Sequence, residues 1–440
     1  MSIRNVLGEI LVEWKEFGVP RDLVMRRHSI SLGTKSITVL AGVRRCGKTY
    51  LMFQLMRELM DSGVDENKIF YVNFEDERVA PESEFLTELI PTIREVFGVS
   101  SGLYLFLDEI HNIPNWDKWL RRHELRDIKF VISGSTSELT PDEIPASLGG
   151  RTETHIIYPL SFEEFLEFKN VKVHPRIEYS EKRYDLLRML EEYLEYGGFP
   201  EVALSKDRAK KITKLQEYFS AIVYRDMVKK RNITQTTELE TLLKLIADTT
   251  LFSASKIEKL MKNFGYRISK ATILRYKNFA EKAFFIHQLH IFSRKIKDIL
   301  QYPRKIYFID TGLRKAISRN WGRSIGNILE NAVYILLLRT KDKLTNIAYW
   351  KSAEKHEVDF VVERNVKAQT LIQVCYDVSE ENTRKREERS LIKAMKELSV
   401  KTSYIVTWDH EEERKINEKK IIYVPYWKLV LNLKRIPANT

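Results

Sequence analysis

One stretch decides how the whole chain is interpreted, and it reads Ile37-Thr-Val-Leu-Ala-Gly-Val-Arg-Arg-Cys-Gly-Lys-Thr-Tyr-Leu51. It begins with an apolar, β-branched run, turns at Gly42, and ends in Gly47-Lys48-Thr49, after which leucines recur at helical spacing. Strand, glycine-bounded loop and helix in this order match the spacing G-x-x-x-x-G-K-[ST] of a phosphate-binding loop. The alternative is a glycine-rich turn between strand and helix that happens to carry a lysine.

Each part of this loop has a physical role in holding a nucleotide. The glycines let backbone N–H groups curl round a β-phosphate, and the N-terminus of the following helix adds partial positive charge. Lys48 is expected to reach the β- and γ-phosphate oxygens, and Thr49 to bind Mg²⁺. We therefore predict ATP and Mg²⁺ as ligands. The residues expected to hold them are Gly42, Arg44, Arg45, Cys46, Gly47, Lys48, Thr49 and Tyr50.

Length and composition limit the class of protein. A chain of 440 residues has room for two or three domains. Its apolar runs are shorter than the roughly 18 residues that a membrane helix needs, and Glu9, Glu13 and Glu16 are incompatible with a signal peptide. Two cysteines are too few for a disulfide framework or a zinc cluster. We expect a cytoplasmic protein without a membrane segment.

The net charge of +12 is unevenly distributed along the chain. Residues 1–150 carry −5 and residues 151–231 carry +2, whereas residues 232–312 carry +7 and residues 313–440 carry +8. A positive field in the C-terminal half favours a polyanionic partner such as DNA, although a well-solvated lysine-rich surface gives part of the same excess.

Two acidic residues follow the predicted strand Leu103–Leu107. They are Asp108 and Glu109, at the carboxyl end of the strand, where open α/β sheets bind their ligands. Asp108 is expected to hold Mg²⁺ through a water, and Glu109 to orient the water that attacks the γ-phosphate. An earlier strand, Ile69–Phe74, ends in Glu75-Asp76-Glu77, for which we favour a solvated loop over a metal contact.

Polar residues also follow the next two predicted strands. Lys129–Ile132 ends in Ser133-Gly134-Ser135, whose side chains are candidates to contact the γ-phosphate or the attacking water, with an ordinary turn as the alternative. Arg151 precedes the strand Thr154–Tyr158. It could bring positive charge to a γ-phosphate in its own or in a neighbouring subunit of a homo-oligomer, or it is a surface arginine.

The order of these strands resembles that of AAA+ and related NTPases with a catalytic glutamate, whose parallel sheet is ordered 5-1-4-3-2. The likeness is closer still to the archaeal and bacterial AAA family that carries an uncharacterised C-terminal domain, and it covers nearly the whole chain. Five motifs carry it: Gly42-Val-Arg-Arg-Cys-Gly-Lys-Thr49, Asn73-Phe-Glu-Asp-Glu77, Ser133-Gly-Ser135, Leu148-Gly-Gly-Arg151 and Pro159-Leu-Ser-Phe-Glu-Glu164. The resemblance implies an α/β fold with an ATPase core at residues 1–165.

A helical lid is expected at residues 166–235. It contains Tyr196-Gly-Gly-Phe-Pro200. In the families that this chain resembles, a Gly-x-Pro in the lid lies against the adenine, which makes Gly198 and Pro200 candidates by that likeness. A helix stop is the alternative.

Residues 236–312 show the pattern of a winged-helix domain. The helix Ser253–Phe264 is followed by a turn at Gly265 and a second helix capped by Ser269, and the strands Phe284–Phe292 and Lys305–Asp310 come next. A recognition helix in the major groove with a basic wing on phosphates would explain this order, while a protein contact or a lid remains the alternative. The DNA-binding candidates are Arg275, Asn278 and Lys282 on the second helix and Arg294, Lys295 and Lys297 between the strands.

Residues 313–440 resemble PD-(D/E)xK nucleases in an α/β unit. Glu330 and Asp359 match acidic positions of that fold, but the strand that should carry Glu-x-Lys reads Gln373-Val374-Cys375. A carboxamide is a poor Mg²⁺ ligand and a thiol cannot replace a lysine that activates water. We therefore expect a degenerate nuclease-like domain. Three lysines could substitute in space: Lys351, Lys355 and Lys385.

These patterns together predict an ATP-hydrolysing, Mg²⁺-dependent protein that couples turnover to DNA binding or remodelling. Two alternatives stay open at this point. One is a nucleotide-dependent switch that recruits a protein partner through the basic half, and the other is a nuclease.

Overall fold

A computed structural model describes the chain over residues 2–32, 37–124, 126–135, 139, 144, 148–174, 176–319 and 325–431. The chain divides into two compact units, residues 1–158 with 282–284 and residues 159–281 with 285–440. Within the described ranges, no helix is long and apolar enough to cross a membrane.

The first unit is a parallel five-stranded sheet with helices. Its helices are α1 (Ile3–Phe17), α2 (Lys48–Asp61), α3 (Ser83–Phe97) and α4 (Trp116–His123). Its strands are β1 (Ile37–Ala41), β2 (Ile69–Asn73), β3 (Leu103–Asp108), β4 (Ile128–Gly134) and β5 (Thr152–Ile156). β1 is buried along its full length, which its uninterrupted apolar and β-branched sequence explains.

The strand order is β2-β3-β4-β1-β5, and every pair is parallel. The predicted order 5-1-4-3-2 is therefore confirmed. It places β4 between the strand that enters the phosphate-binding loop and the strand that ends in Asp108. The carboxyl ends of β1, β4 and β3 thus lie side by side, and the residues that follow them can share one site.

The fifth strand differs from its prediction. It spans Thr152–Ile156 rather than Thr154–Tyr158, and it pairs with β1 from Ile37 opposite Thr152 to Ala41 opposite Ile156. As an edge strand it has no fully buried residue, so its polar start gives no apolar pattern from which to locate it.

The second unit begins with helices. They are α5 (Phe162–Phe168), α6 (Lys182–Tyr196), α7 (Pro200–Leu204), α8 (Arg208–Ala221) and α9 (Thr236–Ala247), and a π-helix at Ile222–Lys229 continues α8. Ser161 caps α5 in a reciprocal pair with Glu164, as their Ser-x-x-Glu spacing dictates.

A small antiparallel sheet with its helices follows, with strand order β6-β8-β7. Its elements are β6 (Leu251–Phe252), α10 (Ala254–Asn263), α11 (Lys270–Lys282), β7 (Ile286–Leu289), α12 (Ile296–Gln301) and β8 (Arg304–Phe308). Both predicted strands are shorter than expected. The segment between them is not an extended wing, because the Ser293 hydroxyl bonds Asp298 and the N–H of Lys295 and so starts a short helix.

The chain ends in a mixed six-stranded sheet ordered β13-β14-β12-β11-β10-β9. Its elements are α13 (Thr311–Ile317), α14 (Ile325–Thr340), β9 (Thr345–Lys351), β10 (Glu357–Arg364), β11 (Lys367–Val374), α15 (Glu381–Glu397), β12 (Thr402–Thr407), β13 (Glu412–Ile416), β14 (Lys419–Pro425) and α16 (Tyr426–Val430). The predicted strand that contains Gln373 is β11, which ends at Val374.

Candidate nucleotide-binding site

The loop between β1 and α2 depends on its two glycines. A Cβ atom at Gly42 would lie 2.2 Å from the Ile157 carbonyl oxygen and 3.3 Å from the Cys46 Sγ atom. Gly47 has φ 99° and caps α2 in the left-handed region that side chains disfavour. Cys46 is fully buried, and burial raises the pKa of its thiol. Cys46 therefore fills space in the loop as a neutral side chain.

Lys48 lies buried at the first position of α2. Its ammonium donates hydrogen bonds to the carbonyls of Gly42 (3.0 Å) and Val43 (3.2 Å) and lies 3.5 Å from the Glu109 Oε1 atom. Burial acts to lower the pKa of Lys48, but the acidic groups beside it, Glu109 foremost, outweigh burial and the pKa is raised. The lysine is therefore a fixed positive charge, with acceptors that a phosphate could replace.

Asp108 accepts hydrogen bonds from three hydroxyl groups. They belong to Thr49 (2.6 Å), Tyr71 (2.9 Å) and Ser133. Burial first, and Glu109 second, raise the pKa of Asp108, although the bonds from Ser133 and Thr49 oppose this. A threonine hydroxyl and a carboxylate at this separation are oxygen ligands of the kind Mg²⁺ prefers, so the site fits the ion that the sequence implies.

Glu109 is held beside β4 by backbone and side-chain contacts. Its own N–H donates to the Ser133 hydroxyl (3.1 Å), and its carboxylate accepts the N–H of Ser135 (3.0 Å). It has φ 52°, a left-handed conformation that costs an ordinary residue free energy and occurs often at functional sites. The structure thus brings four predicted residues, Lys48, Asp108, Glu109 and Ser133, into one buried group, with Ser135 contributing its backbone.

Sequence reasoning missed two contacts at this edge of the sheet. Arg44 in the loop makes a bidentate pair with Glu75, with N–O distances of 2.9 and 2.7 Å. Glu75 and Glu77 are exposed, which agrees with the expected solvated loop, and Asp76 pairs with Arg78. The hydroxyl of Tyr71 is the second missed contact. No local sequence pattern indicates either contact, because Arg44 and Glu75 lie 31 positions apart and Tyr71 and Asp108 lie 37 positions apart.

Arg151 does not reach the site of its own chain. Its carbonyl bonds the N–H of Ile37, and Ile37 pairs with Thr152, so Arg151 lies at the amino end of β1. The loop begins at the other end of that strand, roughly 15 Å away for five residues. The Arg151 side chain pairs with Glu124 at 2.9 Å and is 41% exposed. This corrects the expectation for its own subunit. A surface arginine and a role in a neighbouring subunit are the two alternatives that remain.

Gly198 and Pro200 lie in the second unit, where the glycine has a packing role. The Gly198 N–H donates to Asp310 (2.7 Å), and its carbonyl accepts the N–H of Leu160 (2.7 Å). A Cβ atom on the preceding Gly197 would lie 1.9 Å from the Asp310 carboxylate. Pro200 is the first residue of α7. Contact of Gly198 and Pro200 with adenine stays a prediction.

The DNA-binding candidates lie mostly on the surface. On α11, Arg275 and Asn278 are exposed and Lys282 is half-buried, and Ser269 caps this helix by accepting the N–H of Thr272. The opposite side of α11 is buried as predicted, through Ile273, Tyr276 and Ala280. Arg294, Lys295 and Lys297, beside and within α12, are also exposed.

The acidic positions of the nuclease-like segment converge on an unpredicted partner. Glu330 of α14 and Asp359 of β10 both contact the ammonium of Lys305 on β8. Gln373 accepts the N–H of Asp359 (3.2 Å) and donates to Glu387 (2.8 Å). The three lysines expected to substitute do not take this place. Lys351 contacts Glu357, Lys385 pairs with Glu381 on the surface, and Lys355 lies exposed in a turn.

The parallel sheet, the glycine-bounded loop and the acids beyond β3 define a P-loop NTPase of the α/β class. Family models match three parts of the chain, and the first of them agrees with this class. Residues 34–166 match an AAA domain, residues 187–323 a domain of unknown function (DUF8612) and residues 325–429 a second domain of unknown function (DUF4143).

Two relatives match almost end to end. The chain is 35% identical over 428 residues to the uncharacterized protein MJ1544 of Methanocaldococcus jannaschii, covering 96% of this chain and 94% of the relative. It is 30% identical over 408 residues to an uncharacterized protein of Haemophilus influenzae, covering 90% and 95%. The chain therefore belongs to this archaeal and bacterial family of AAA-type P-loop ATPases, as its motifs predicted.

Among solved structures, the Walker-type ATPase Paby2304 of Pyrococcus abyssi is 14% identical and covers 64% of this chain and 90% of that one. Its TM-score of 0.43 is too low to add to the fold assignment.

Proposed function

We propose that the chain binds ATP with Mg²⁺ at the loop Gly42–Thr49 and hydrolyses it. The observation that carries this proposal is one group of side chains that the start of α2 and the ends of β3 and β4 bring together. Thr49 lies 2.6 Å from Asp108, and Lys48 lies 3.5 Å from Glu109. Such a group combines a fixed cation for phosphate, oxygen ligands for a metal ion and a carboxylate for water.

Each residue has a separate task in this proposal. Lys48 exchanges its carbonyl acceptors for phosphate oxygens. Thr49 and Asp108 hold Mg²⁺, which when bound neutralises charge on the phosphates. Glu109 orients and polarises the attacking water, and Ser133 keeps both acids in place by bonding Asp108 and the Glu109 N–H. Phosphoryl transfer needs positioning and charge neutralisation above all, and these contacts supply both.

Two substitutions test whether Lys48 serves nucleotide binding and Glu109 serves hydrolysis. Lys48→Ala is expected to abolish binding of a fluorescent ATP analogue, because the phosphates lose their buried cation. Glu109→Gln is expected to keep that binding and lower kcat at least about 100-fold, since only the step that uses water loses its carboxylate. Glu77→Gln, an exposed acid on a nearby loop, serves as the control. Hydrolysis at the parental rate by Glu109→Gln would exclude Glu109 as the base.

We further propose that residues 236–312 act as a module of the winged-helix type, with α12 in place of an extended wing, that binds DNA, and that ATP turnover is coupled to this binding. Exposed Arg275 and Asn278 on α11 and three exposed basic residues at α12 support this, together with the charge of +7 on this segment. We retain the wider division into a core (1–165), a lid (166–235), this module and a nuclease-like domain (313–440) as part of the proposal.

Salt dependence tests the DNA proposal. Phosphate contacts make log Kd rise with log salt by about 0.9 for each phosphate neutralised on B-DNA. Arg275→Ala is therefore expected to weaken duplex binding and reduce that slope by about one, while Lys415→Ala, at an exposed position on β13, leaves both unchanged. No binding to duplex or single strands at low salt would end this proposal.

A protein partner is the rival occupant of the basic half. One observation favours it, because α12 exposes Ile296 (74%) and Leu300 (66%) beside its basic residues. The two proposals differ in ATPase rate. Strong stimulation by DNA supports the DNA-coupled ATPase, whereas a slow rate unaffected by DNA supports a nucleotide switch that recruits a protein.

A further inference from the structure

Lys305 is an ammonium group inside the second unit. It lies on β8 and is only 3% exposed. A charged group removed from water in this way is costly unless charged partners surround it. Its surroundings therefore decide what it does.

Three carboxylates use all three N–H groups of this ammonium. The distances from Nζ are 2.8 Å to Asp359, 2.9 Å to Glu357 and 3.0 Å to Glu330. Two of these carboxylates come from β10 and the third from α14, so one cation joins three separate elements. A lysine has three donors and no more, which makes this a fully satisfied ammonium.

Other contacts fix the carboxylates around the cation. The Tyr307 hydroxyl, on the same strand as Lys305, donates to Glu330 (2.6 Å), and the N–H of Val374 donates to Asp359 (2.9 Å). The Asn331 amide next to Glu330 bonds both backbone groups of Phe308 at 2.8 Å. β8 is thus attached to α14 on both sides of the carboxylate group.

The electrostatics show how strongly the ammonium is held. Burial alone would lower the pKa of Lys305, yet Asp359 and Glu330 raise it well above its ordinary value. Burial and the charge of Glu330 raise the pKa of Asp359 to about 7. Lys351 adds a second ammonium 3.1 Å from Glu357, so three carboxylates face two cations and the group keeps a negative charge of the kind that hard divalent cations neutralise.

We propose that the Lys305 ammonium is the resident cation of a three-carboxylate site, in the position that a divalent metal ion would occupy, and that this site anchors β8 to α14 and β10. The proposal is independent of the ATPase proposal, because it concerns other residues. It also explains the loss of the Glu-x-Lys pattern, since the lysine now comes from β8 and Gln373 is occupied by Asp359 and Glu387.

The geometry distinguishes an ammonium site from a metal site. Carboxylate oxygens lie 2.3–2.6 Å from Ca²⁺ and closer still to Mg²⁺, whereas here they lie at 2.8–3.0 Å. In the part of the chain that the structure describes, no three His, Cys, Asp or Glu side chains are grouped to hold a metal ion as they stand. A small contraction of the carboxylates would convert one kind of site into the other once the ammonium is gone.

Replacing Lys305 tests this directly in the full chain without nucleotide. Lys305→Ala should lower the melting temperature by several degrees in metal-free buffer, and Mn²⁺ should restore much of the loss. Calorimetry should show one more Mn²⁺ bound than in the wild type, with a Kd below about 1 mM. The double variant Lys305→Ala/Asp359→Asn should lose that extra site, which separates it from any Mn²⁺ at Thr49 and Asp108.

Two results would overturn the proposal. One is a folded Lys305→Ala, or the longer and equally uncharged Lys305→Met, that gains no Mn²⁺ site. The second result comes from chains that keep Lys305, so it decides the question even if the Lys305 variants do not fold. Mn²⁺ binding is compared between the wild type and Asp359→Asn. If the wild type binds one Mn²⁺ ion that Asp359→Asn does not bind, the carboxylates hold a metal beside Lys305 and the proposal is wrong. If the two chains bind Mn²⁺ equally, the ammonium is the occupant.

Discussion

Glu75→Ala is the sharpest test of how the phosphate-binding loop is held. Arg44 in the loop is 9% exposed, and its guanidinium bonds both oxygens of Glu75 at 2.9 and 2.7 Å. Exposed ion pairs contribute up to about 1 kcal/mol, and breaking a buried one costs about 3–5 kcal/mol. The Glu75 side chain is 28% exposed, so we expect a coupling free energy between these limits, about 2 kcal/mol.

A double-mutant cycle measures this coupling. Arg44→Ala, Glu75→Ala and the double variant are compared by urea unfolding and by calorimetric titration with a non-hydrolysable ATP analogue. If the pair orders the loop for phosphate, a coupling of about 2 kcal/mol expressed in binding weakens analogue affinity about 30-fold in Glu75→Ala. Glu77→Ala, exposed on the same loop, should change neither quantity. Coupling below about 0.5 kcal/mol with unchanged affinity would refute the assigned role.

Three further outcomes are expected. Tyr71→Phe removes a hydroxyl donor from buried Asp108, which should raise the pKa of that acid further and increase the Mg²⁺ needed for half-maximal ATPase about 10-fold. A lower free energy of unfolding with no change in the Mg²⁺ concentration needed for half-maximal ATPase would contradict this prediction. Burial raises the pKa of Asp310 to about 6, so the unfolded chain ionises first and the free energy of unfolding should fall by about 2 kcal/mol for this group as pH rises from 4 to 6. In urea titrations, Asp310→Asn should remove this part of the pH dependence of the free energy of unfolding. If the pH dependence does not change, Asp310 is ionised at every pH tested. Duplex-stimulated turnover should decline in Arg275→Ala but not in Lys415→Ala, and equal decline in both would assign the effect to general charge.

The nucleotide site could be predicted because its residues are contiguous in sequence. The loop Gly42–Thr49 and the pair Asp108-Glu109 each follow a strand whose apolar residues mark it clearly, and parallel strands bring their carboxyl ends to one edge. The sheet order was implied by the resemblance to AAA+ and related NTPases. Ser133 lies next to both acids for the same reason, since β4 lies between β3 and β1.

The contacts that hold this site could not be predicted in the same way. Arg44 and Glu75 are 31 positions apart, and nothing in either segment marks the other. Arg151 shows the converse problem. It was considered because it comes just before a predicted strand, but a residue that precedes a strand of a parallel sheet lies at the amino end of the sheet, away from the site. The polar sequence of this edge strand also gave no pattern from which to locate its start, which lies two residues earlier than predicted.

The cluster of acids at Asp108 and the cluster around Lys305 differ in whether the nearby cation can be exchanged. This difference is why we propose hydrolysis at the first cluster and not at the second. Asp108 accepts bonds from neutral hydroxyls, and the nearest ammonium, Lys48, is bonded to carbonyls and lies 3.5 Å from Glu109. A cation that arrives with phosphate can therefore be accommodated and can leave again. Around Lys305 the cation is part of the chain, lies within 3.0 Å of three carboxylates and has no donor left to offer a substrate. Turnover requires charge that can be exchanged, which is why we propose ATP hydrolysis at the end of β3 and a structural anchor at β8.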